Sequence, residues 1–506
     1  MRCYSRLPEV VLVASMSLFE LTRGFADIPS ALANISILDL VLDSRQVTEG
    51  SGFIAVQGTQ TDGRRFIADA LDRGASLVLA ESPGAKISDS RVIGMPGLKK
   101  HLGELAKRFY GDPSRQLALL AVTGTNGKTS ISDYIGQLLR LLGESAGTIG
   151  TLGARTRSGE SVASQNTTPD IISLNRQLAD WVDQGVHFAA IEASSHALDQ
   201  SRLDGLTLHT GIFSNLTRDH LDYHENMVAY QQAKLHLFQD FCPDRVLYNA
   251  DDENTFPARE FASQSALGIS LRDASADAFA QVTSEAASGL SFLLHSPYGS
   301  TNITTKVHGR FNAFNVTAAI MAVCGLGFAF SDVAAAASYL QAVDGRMQAV
   351  GGGEDVRVVV DYAHTPDALA SALFTLETSC PGDLWVVFGC GGDRDSGKRA
   401  EMGRIASGLA SKLVITNDNP RTEDASAIAS QIASGCMPNC DGADVLIELD
   451  RAAAIVYAIK SARPGDTVLI AGKGHETYQI IGRAQHAFSD VEHARQALAA
   501  RGVADV

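Results

Sequence analysis

The sequence predicts an α/β protein of three domains: a small N-terminal α/β unit, a central parallel-sheet domain of P-loop type, and a C-terminal doubly wound domain. Three observations predict it. The chain has 506 residues, more than one hydrophobic core usually supports. From "LALLAV" onward, short apolar runs alternate with stretches of helical periodicity, as strands buried on both faces of a parallel sheet do. Polar, glycine-rich segments follow those runs, and ligands bind such sheets beyond the carboxyl ends of their strands.

In the first unit, "ILDLVLDSR", "GFIAVQG" and "ASLVLAE" are expected strands and "RRFIADALDRG" a helix. Residues 1–15 form an extension whose run "EVVLVASMSLF" follows Arg2 and Arg6. The run is short, contains Glu9 and lacks a small-x-small cleavage site, so it does not fit a signal peptide. A start at Met16, with "MSLFEL" as the first helix and 1–15 dispensable, is the alternative. In the centre, "VHFAAIEAS" and "LHTGIFSN" are expected strands, "SPYGS" a loop and "GRFNAFNVTAAIMAVCGLG" a helix. "AVDGRMQAVGGG" has the glycine content of a hinge. The last third repeats strand and helix through "VRVVVDYAH", "LWVVFGCGGD", "KLVITNDNP", "RAAAIVYAIKSA" and "TVLIAGKGHE". Expected domain limits are 1–111, 112–344 and 345–506.

Hydrophobic and charged contents of 45% and 20% mark a soluble globular chain. The net charge of −15 argues against nucleic acid as the main partner, without excluding small anions in a local basic pocket. No run reaches the ~20 apolar residues that span a bilayer. Seven cysteines are scattered, and Cys436 and Cys440 have no second pair at zinc spacing, so buried thiols in a reducing compartment are expected.

The chemistry centres on "AVTGTNGKTSIS", residues 121–132. Its strand–loop–helix setting is that of a phosphate-binding loop. The spacing departs from the usual one, because Val122 stands five positions before Gly127 and Gly124 is the nearer glycine. Backbone N–H groups at the helix start suit phosphate oxygens, Lys128 the terminal phosphates and Thr129 a Mg²⁺ ion. Glu192, ending "HFAAIE", is placed to hold that cation or is simply a solvated strand-end carboxylate. His220 is either a ligand or a satisfied core histidine. Lys234 lies in the apolar pattern of "YQQAKLHLF"; such a lysine either snorkels or, desolvated, loses basicity and becomes open to covalent modification. In the last third, Arg394, Lys398, Arg399 and Arg421 suit carboxylates, and Lys473, His475 and Glu476 sit in "GKGHE", where Glu476 suits an ammonium. Together they would bind an amino acid; singly, each is equally a surface charge.

Nine segments, "GTNGKT", "NTTPD", "EASSHAL", "NLTRDHLDYH", "AKLHLF", "GRFNAFN", "GRM", "DYAHTP" and "DNPRTED", together resemble the Mur ligases. Their order and spacing are similar to those of members that add the third peptide residue to the UDP-N-acetylmuramoyl precursor of peptidoglycan. The resemblance runs from about Leu42 to about Asp490. Departures are small: "EAS" for the commoner "EVS", and the N-terminal extension.

The resemblance implies that Gly124, Thr125, Asn126, Gly127, Lys128, Thr129 and Ser130 cradle ATP, with Asn312, Asn315, Arg346 and Asp361 also on the nucleotide. It implies Mg²⁺ held by Thr129, Glu192, His220 and Lys234, the lysine carried as a carbamate. Lys128, Glu192, His220 and Lys234 are the implied catalytic set. For the UDP-MurNAc-dipeptide the matching positions are Leu42, Ser44, Thr59, Gln60, Thr61, Asn166, Thr167, Thr168, Ser194, Gln200 and Arg202. For the incoming amino acid they are Arg394, Asp418, Asn419, Pro420, Arg421, Gly472 and Glu476. "DNPR" resembles the members that take meso-diaminopimelate instead of L-lysine. The second carboxylate of diaminopimelate suits Arg421, which lysine would leave buried and unpaired. The implied activity is ATP-dependent amide formation on UDP-MurNAc-L-Ala-D-Glu through an acyl phosphate, by a cytoplasmic monomer without nucleic-acid partner or membrane span. Two rivals are a folylpolyglutamate synthetase of the same fold and a non-catalytic nucleotide-binding regulator.

Overall fold

The computed structural model describes residues 15–58, 61–82, 89–156, 161–162, 166–286, 289–351, 355–437 and 444–503. Thr59, Gln60, Cys440 and most of the 1–15 extension lie outside the described residues. Met16–Ser17 pairs with Ser36–Ile37, and Ser17 opens the short helix Leu18–Thr22 with a reciprocal Ser17–Glu20 capping box, which satisfies two helix-end N–H groups.

Three sheets carry the architecture. The first joins β1 (Asp39–Val41), β2 (Ser51–Ala55), β3 (Leu77–Ser82) and β4 (Val92–Pro96) in sequence order, all parallel. The second has β5 (Ala118–Thr123), β6 (Ala146–Gly150), β7 (Phe188–Glu192), β8 (Thr210–Phe213), β9 (Arg245–Asn249) and β10 (Ser265–Ser270) in the parallel order β6-β7-β5-β8-β9-β10. Short antiparallel strands extend the β6 side. Ala278–Ala286, Gly289–Ser296 and Gly299–Thr305 extend the β10 side, and the expected "SPYGS" loop is the tight turn between the last two. The third sheet has β11 (Arg357–Asp361), β12 (Leu384–Phe388), β13 (Lys412–Ile415), β14 (Asp444–Ile447) and β15 (Thr467–Ala471), ordered β11-β15-β12-β13-β14 and parallel. Within the expected glycine-rich hinge, Gln348–Gly351 is an antiparallel edge strand on β11.

Helices α1 (Lys128–Leu141), α2 (Ile171–Asp183), α3 (Met227–Gln239) and α4 (Phe311–Gly325) cover the central sheet. Leu120 and Val122 of β5 pack with Ile131, Ile135 and Leu138 of α1 and with α4, while Leu119 and Ala121 face Leu178, Trp181, Leu237 and Phe238. Burial on both faces is why β5 reads as an unbroken apolar run. Position 122 is therefore core, not loop, and a glycine there would remove a packed side chain. The first sheet is tied to the second through α2. Arg176 donates to Leu40 O at 2.6 Å and pairs with Asp39 at 2.8 Å, which Tyr110 Oη also contacts at 2.8 Å.

On β6, a Cβ added to Gly147 would run into the ring of Trp181, leaving the Cη2 atom at 2.6 Å. Gly147→Ala is expected to destabilise the central domain by about 1–3 kcal/mol, the usual range for overpacking. Calorimetric unfolding should register this as a lowered transition; an unchanged transition would contradict it.

Candidate active site

The loop between β5 and α1 needs both its glycines. Gly124 has φ 147° and Gly127 φ 86°, and such positive φ values exclude most side chains. A Cβ on Gly124 would land on Ser214 Oγ, and one on Gly127 would lie 2.7 Å from Asn315 Oδ1. Lys128 Nζ donates to Gly124 O and Thr125 O, both at 2.8 Å, so the ammonium closes the loop on itself. Desolvation lowers the Lys128 pKa, opposed by the charges of Glu192 and Asp219.

At the end of β7, Glu192 is 1% exposed and fully engaged. Its Oε2 accepts from Thr129 Oγ1 and Thr151 Oγ1, each at 3.0 Å, and its Oε1 from Thr151 N at 2.7 Å. Arg346 Nη2 reaches Thr129 Oγ1 at 3.0 Å from beyond the domain junction. The carboxylate is thus fixed beside the loop and is no solvated strand end.

Lys234 on α3 is also 1% exposed, so it does not snorkel. Its Nζ donates to Gly124 O at 2.7 Å and sits 4.4 Å above the Tyr230 ring. Among the described residues no carboxylate lies within ion-pair distance of it. Burial, then the charge of Lys128, holds its pKa well below the ordinary lysine value.

His220 begins its short helix with φ 54°, and burial pushes its pKa down to about 2, which leaves the imidazole neutral. Beside it, Asp219 is 4% exposed. Its Oδ2 is 3.4 Å from His220 Nε2 and 3.4 Å from His364 Nε2, and its Oδ1 is 3.6 Å from Lys398 Nζ. Burial opposes its charge, but the bond to His364 and the neighbouring positive charges hold the carboxyl well below the usual range. His364 and Lys398 belong to the C-terminal domain. Two more contacts cross there: Arg218 to Asp395 through paired bonds of 2.9 and 3.1 Å, and Asn126 Nδ2 to Asp367 Oδ2 at 3.1 Å.

Near the nucleotide loop, Asn315 lines the cavity while Asn312 stands behind it, accepting from Asn315 Nδ2 at 2.8 Å and donating to His308 O at 2.6 Å. The Arg346 guanidinium lies 4.2 Å above the Tyr362 ring. Asp361 accepts from Met347 N and Ala363 N at 2.6 and 2.8 Å, and burial raises its pKa.

On the other side of β7, Thr168 Oγ1 donates to Glu192 O at 2.6 Å, and Ser194 N donates to Thr168 Oγ1 at 3.2 Å. Arg202 donates to Thr168 O at 2.8 Å and to Gln200 Oε1 at 2.6 Å. In the C-terminal domain, Asn419 Nδ2 and Lys473 Nζ both donate to Glu476 Oε2, at 3.0 and 2.7 Å, and Lys473 reaches Asn419 Oδ1 at 3.1 Å. Arg421, at φ 51°, holds Gly392 O at 2.7 Å. Burial, then the charge of Arg394, lowers its pKa.

These groups share one cavity of ≈ 1260 Å³. It brings together Thr125–Ser130, Asn315, Arg346 and Asp361; Glu192, His220 and Lys234; Asn166, Thr167, Ser194, Gln200 and Arg202; and Arg394, Asp418, Asn419, Arg421, Gly472 and Glu476. Gly124, Asn312, Thr168 and Pro420 are not on its wall, and neither are Leu42, Ser44 and Thr61 of the first unit. The residues that sequence reasoning passed over are Asp219, Thr151 and His364. Asp219 adjoins His220 in "TRDH" and His364 lies in "DYAHTP"; within those polar segments no spacing separates them from their neighbours.

Family models match three stretches of the chain: "Mur ligase family, catalytic domain" over residues 37–110, "Mur ligase middle domain" over 122–323, and "Mur ligase, glutamate ligase domain" over 345–474. A curated protein of Pseudomonas aeruginosa named UDP-N-acetylmuramoyl-L-alanyl-D-glutamate--2,6-diaminopimelate ligase is 44% identical over 477 residues, covering 93% of this chain and 97% of that one. Its namesake in Chromobacterium violaceum is 42% identical, with 91% and 94% covered. A solved structure with the same ligase name superposes with a TM-score of 0.68 at 35% identity, covering 96% of this chain and 99% of the other. The ADP complex of folylpolyglutamate synthase from Mycobacterium tuberculosis gives a TM-score of 0.60 at 16% identity over 79% of this chain and 93% of the other, which is likeness of fold alone.

Proposed function

The chain belongs to the Mur ligase family, and from that premise we propose that it joins meso-2,6-diaminopimelate to the D-Glu γ-carboxylate of UDP-MurNAc-L-Ala-D-Glu, driven by ATP, in the building of peptidoglycan. One observation carries the proposal: a single cavity joins a phosphate loop to a cradle holding Arg394, Arg421 and Glu476. Domain limits of 1–111, 112–344 and 345–506 accompany it, supported by the three separate sheets.

The γ-carboxylate attacks the γ-phosphorus of ATP, giving an acyl phosphate and ADP. The neutral amine of diaminopimelate then attacks the acyl carbon: the amide C–N bond forms, the C–O bond to phosphate breaks, inorganic phosphate leaves, and the amine loses its proton to solvent. Lys128, held over the loop, and Arg346, reaching in from the C-terminal domain, meet the charge that develops on the transferred phosphoryl group. Arg421 and Arg394 grip a carboxylate of the incoming amino acid, and Glu476 receives its ammonium. The polar contacts across the domain junction close the site and exclude water, which would otherwise hydrolyse the acyl phosphate.

Mg²⁺ fits the donors present. Thr129 Oγ1 and Glu192 Oε2 already converge at 3.0 Å, hard oxygens of the kind the ion prefers, and the imidazole of His220 is neutral. Lys234 does not fit in its unmodified form, because an ammonium would repel the cation and a neutral amine supplies no anion; as a carbamate it does. Among the described residues no three His, Cys, Asp or Glu side chains gather as a ligand set, so the modified lysine supplies the anion that the natural side chains lack. When bound, the metal neutralises phosphate charge. The reading includes a monomeric protein. It works in the cytoplasm, where ATP and the UDP-precursor are found; no helix among the described residues is long and apolar enough to cross a membrane.

The test is phosphate release with purified protein. Release should require both UDP-MurNAc-L-Ala-D-Glu and diaminopimelate, and L-lysine should not replace the latter; ATP hydrolysis indifferent to either would overturn the assignment. Arg421→Ala should lower kcat/KM for diaminopimelate by about 10–100-fold, the worth of one or two charge-assisted bonds, with little change in KM for ATP.

A further inference from the structure

Under the amino-acid cradle lies an ion pair that touches no part of the cavity. Arg451 opens α5 (Arg451–Ser461) and Asp490 opens α6 (Asp490–Val503). Both side chains are fully buried, at 0% exposure. Arg451 Nε and Nη2 donate to the two carboxylate oxygens of Asp490 at 2.7 and 2.8 Å. The remaining reach of the guanidinium goes to main chain. Nη1 donates to Asn417 O at 3.1 Å, and Nη2 to Ala471 O at 2.9 Å.

Those two carbonyls have particular neighbours. Asn417 directly precedes Asp418–Arg421, and Ala471 directly precedes Gly472–Glu476. One rigid, planar side chain therefore spans the roots of both loops that form the cradle. The loops also meet above it: a Cβ on Gly472 would lie 2.7 Å from Asp418 Oδ2, and Lys473 donates to Asn419 Oδ1. A buried ion pair adds little net stability over a well-packed apolar pair of similar volume, and α5 and α6 already pack through Ala454, Ala458, Ala494 and Ala497. Joining the helices does not call for charge. Fixing two carbonyls at a set separation does, because only a multi-donor fork with an anchored charge reaches both.

We propose that Arg451, anchored by Asp490, is a positioning residue for diaminopimelate: it sets the spacing of the Asp418–Arg421 and Gly472–Glu476 loops, and hence of Arg421 relative to Glu476. The inference rests on the function proposed above. Neither residue lines the cavity. Small errors in the placement of a recognition group carry large kinetic penalties, so the effect falls on one substrate only.

The test uses full-length protein carrying Arg451→Met together with Asp490→Leu, which removes both charges and keeps the volume. Folding is checked by thermal unfolding. KM for diaminopimelate should rise about tenfold or more, KM for ATP and for the UDP-dipeptide should stay within about twofold, and preference over L-lysine should fall. Arg451→Lys keeps the charge facing Asp490 but cannot span both carbonyls; it should show the same selective rise, smaller, and it serves if the double variant does not fold. A folded variant with unchanged KM for diaminopimelate, losing only kcat or thermal stability, overturns the positioning role. Wild-type protein that releases no phosphate in response to diaminopimelate overturns the functional proposal itself, and the inference with it.

Discussion

Replacing Lys128 by alanine is expected to reduce amide formation by about 10³-fold or more, at the upper end of what one preorganised charged donor supplies. The side chain has two tasks in the fold. Its ammonium bonds to Gly124 O and Thr125 O and so holds the loop closed before nucleotide arrives. When phosphate enters, the same ammonium is the nearest fixed positive charge on the P-loop. Alanine removes both, and Gly124 O keeps only its bond from Lys234. Lys128→Arg restores charge, but its planar fork does not match two carbonyls one residue apart, so little recovery is expected. Product formation followed by chromatography is the measure, with ATP affinity by calorimetry alongside. A rate within tenfold of wild type would contradict the assigned role.

Lys234→Ala should be almost as damaging, with a loss of about 10²–10³-fold, for a different reason. A neutral lysine amine takes up CO₂ to give a carbamate and a proton, and the group passes from cation to anion. The site supplies the neutral amine that this step needs, because burial and the neighbouring Lys128 both disfavour the ammonium. Without the carbamate, the proposed metal set would keep only Thr129, Glu192 and His220. Added bicarbonate cannot repair the alanine variant, since there is no amine to modify. Acetate or propionate at high concentration should restore part of the rate by filling the gap with a carboxylate. Full activity in Lys234→Ala would end the carbamate assignment; loss without any rescue by small acids would mean that Lys234 is needed as an amine.

Much of this site was legible because local chemistry repeats locally. Gly124, Lys128 and Thr129 lie within six residues, and Arg421 is flanked by its own loop. The parallel strands were readable because burial on both faces leaves an unbroken apolar run. Asp219 was not readable. Its role depends on His364 and Lys398, residues of another domain, and no local pattern in "TRDHL" marks which acid will be buried. Thr151 is similar, a hydroxyl whose meaning comes from Glu192 on another strand. The antiparallel strands 278–305 escaped because "SPYGS" suggested a loop, while the register of "GLSFLLHS" against "GSTNITT" is a pairing property. Arg451 and Asp490 were hidden most thoroughly, since their bond joins the starts of two helices far apart in sequence, and an acid at a helix start is ordinary in itself.

The character of the domain junction has a consequence for turnover. Arg218–Asp395, Asn126–Asp367 and the Asp219 contacts join the two halves through polar groups, several of them at the surface. The exposed ones, Arg218–Asp395 and Asn126–Asp367, exchange readily for water and are each worth about 0–1 kcal/mol, whereas Asp219 and Lys398 are buried. An apolar seam of a few hundred Å² would instead resist opening, at about 25 cal/mol for each Å² re-exposed. The exposed polar pairs of the junction are therefore expected to give way at less cost than an apolar seam of the same extent would.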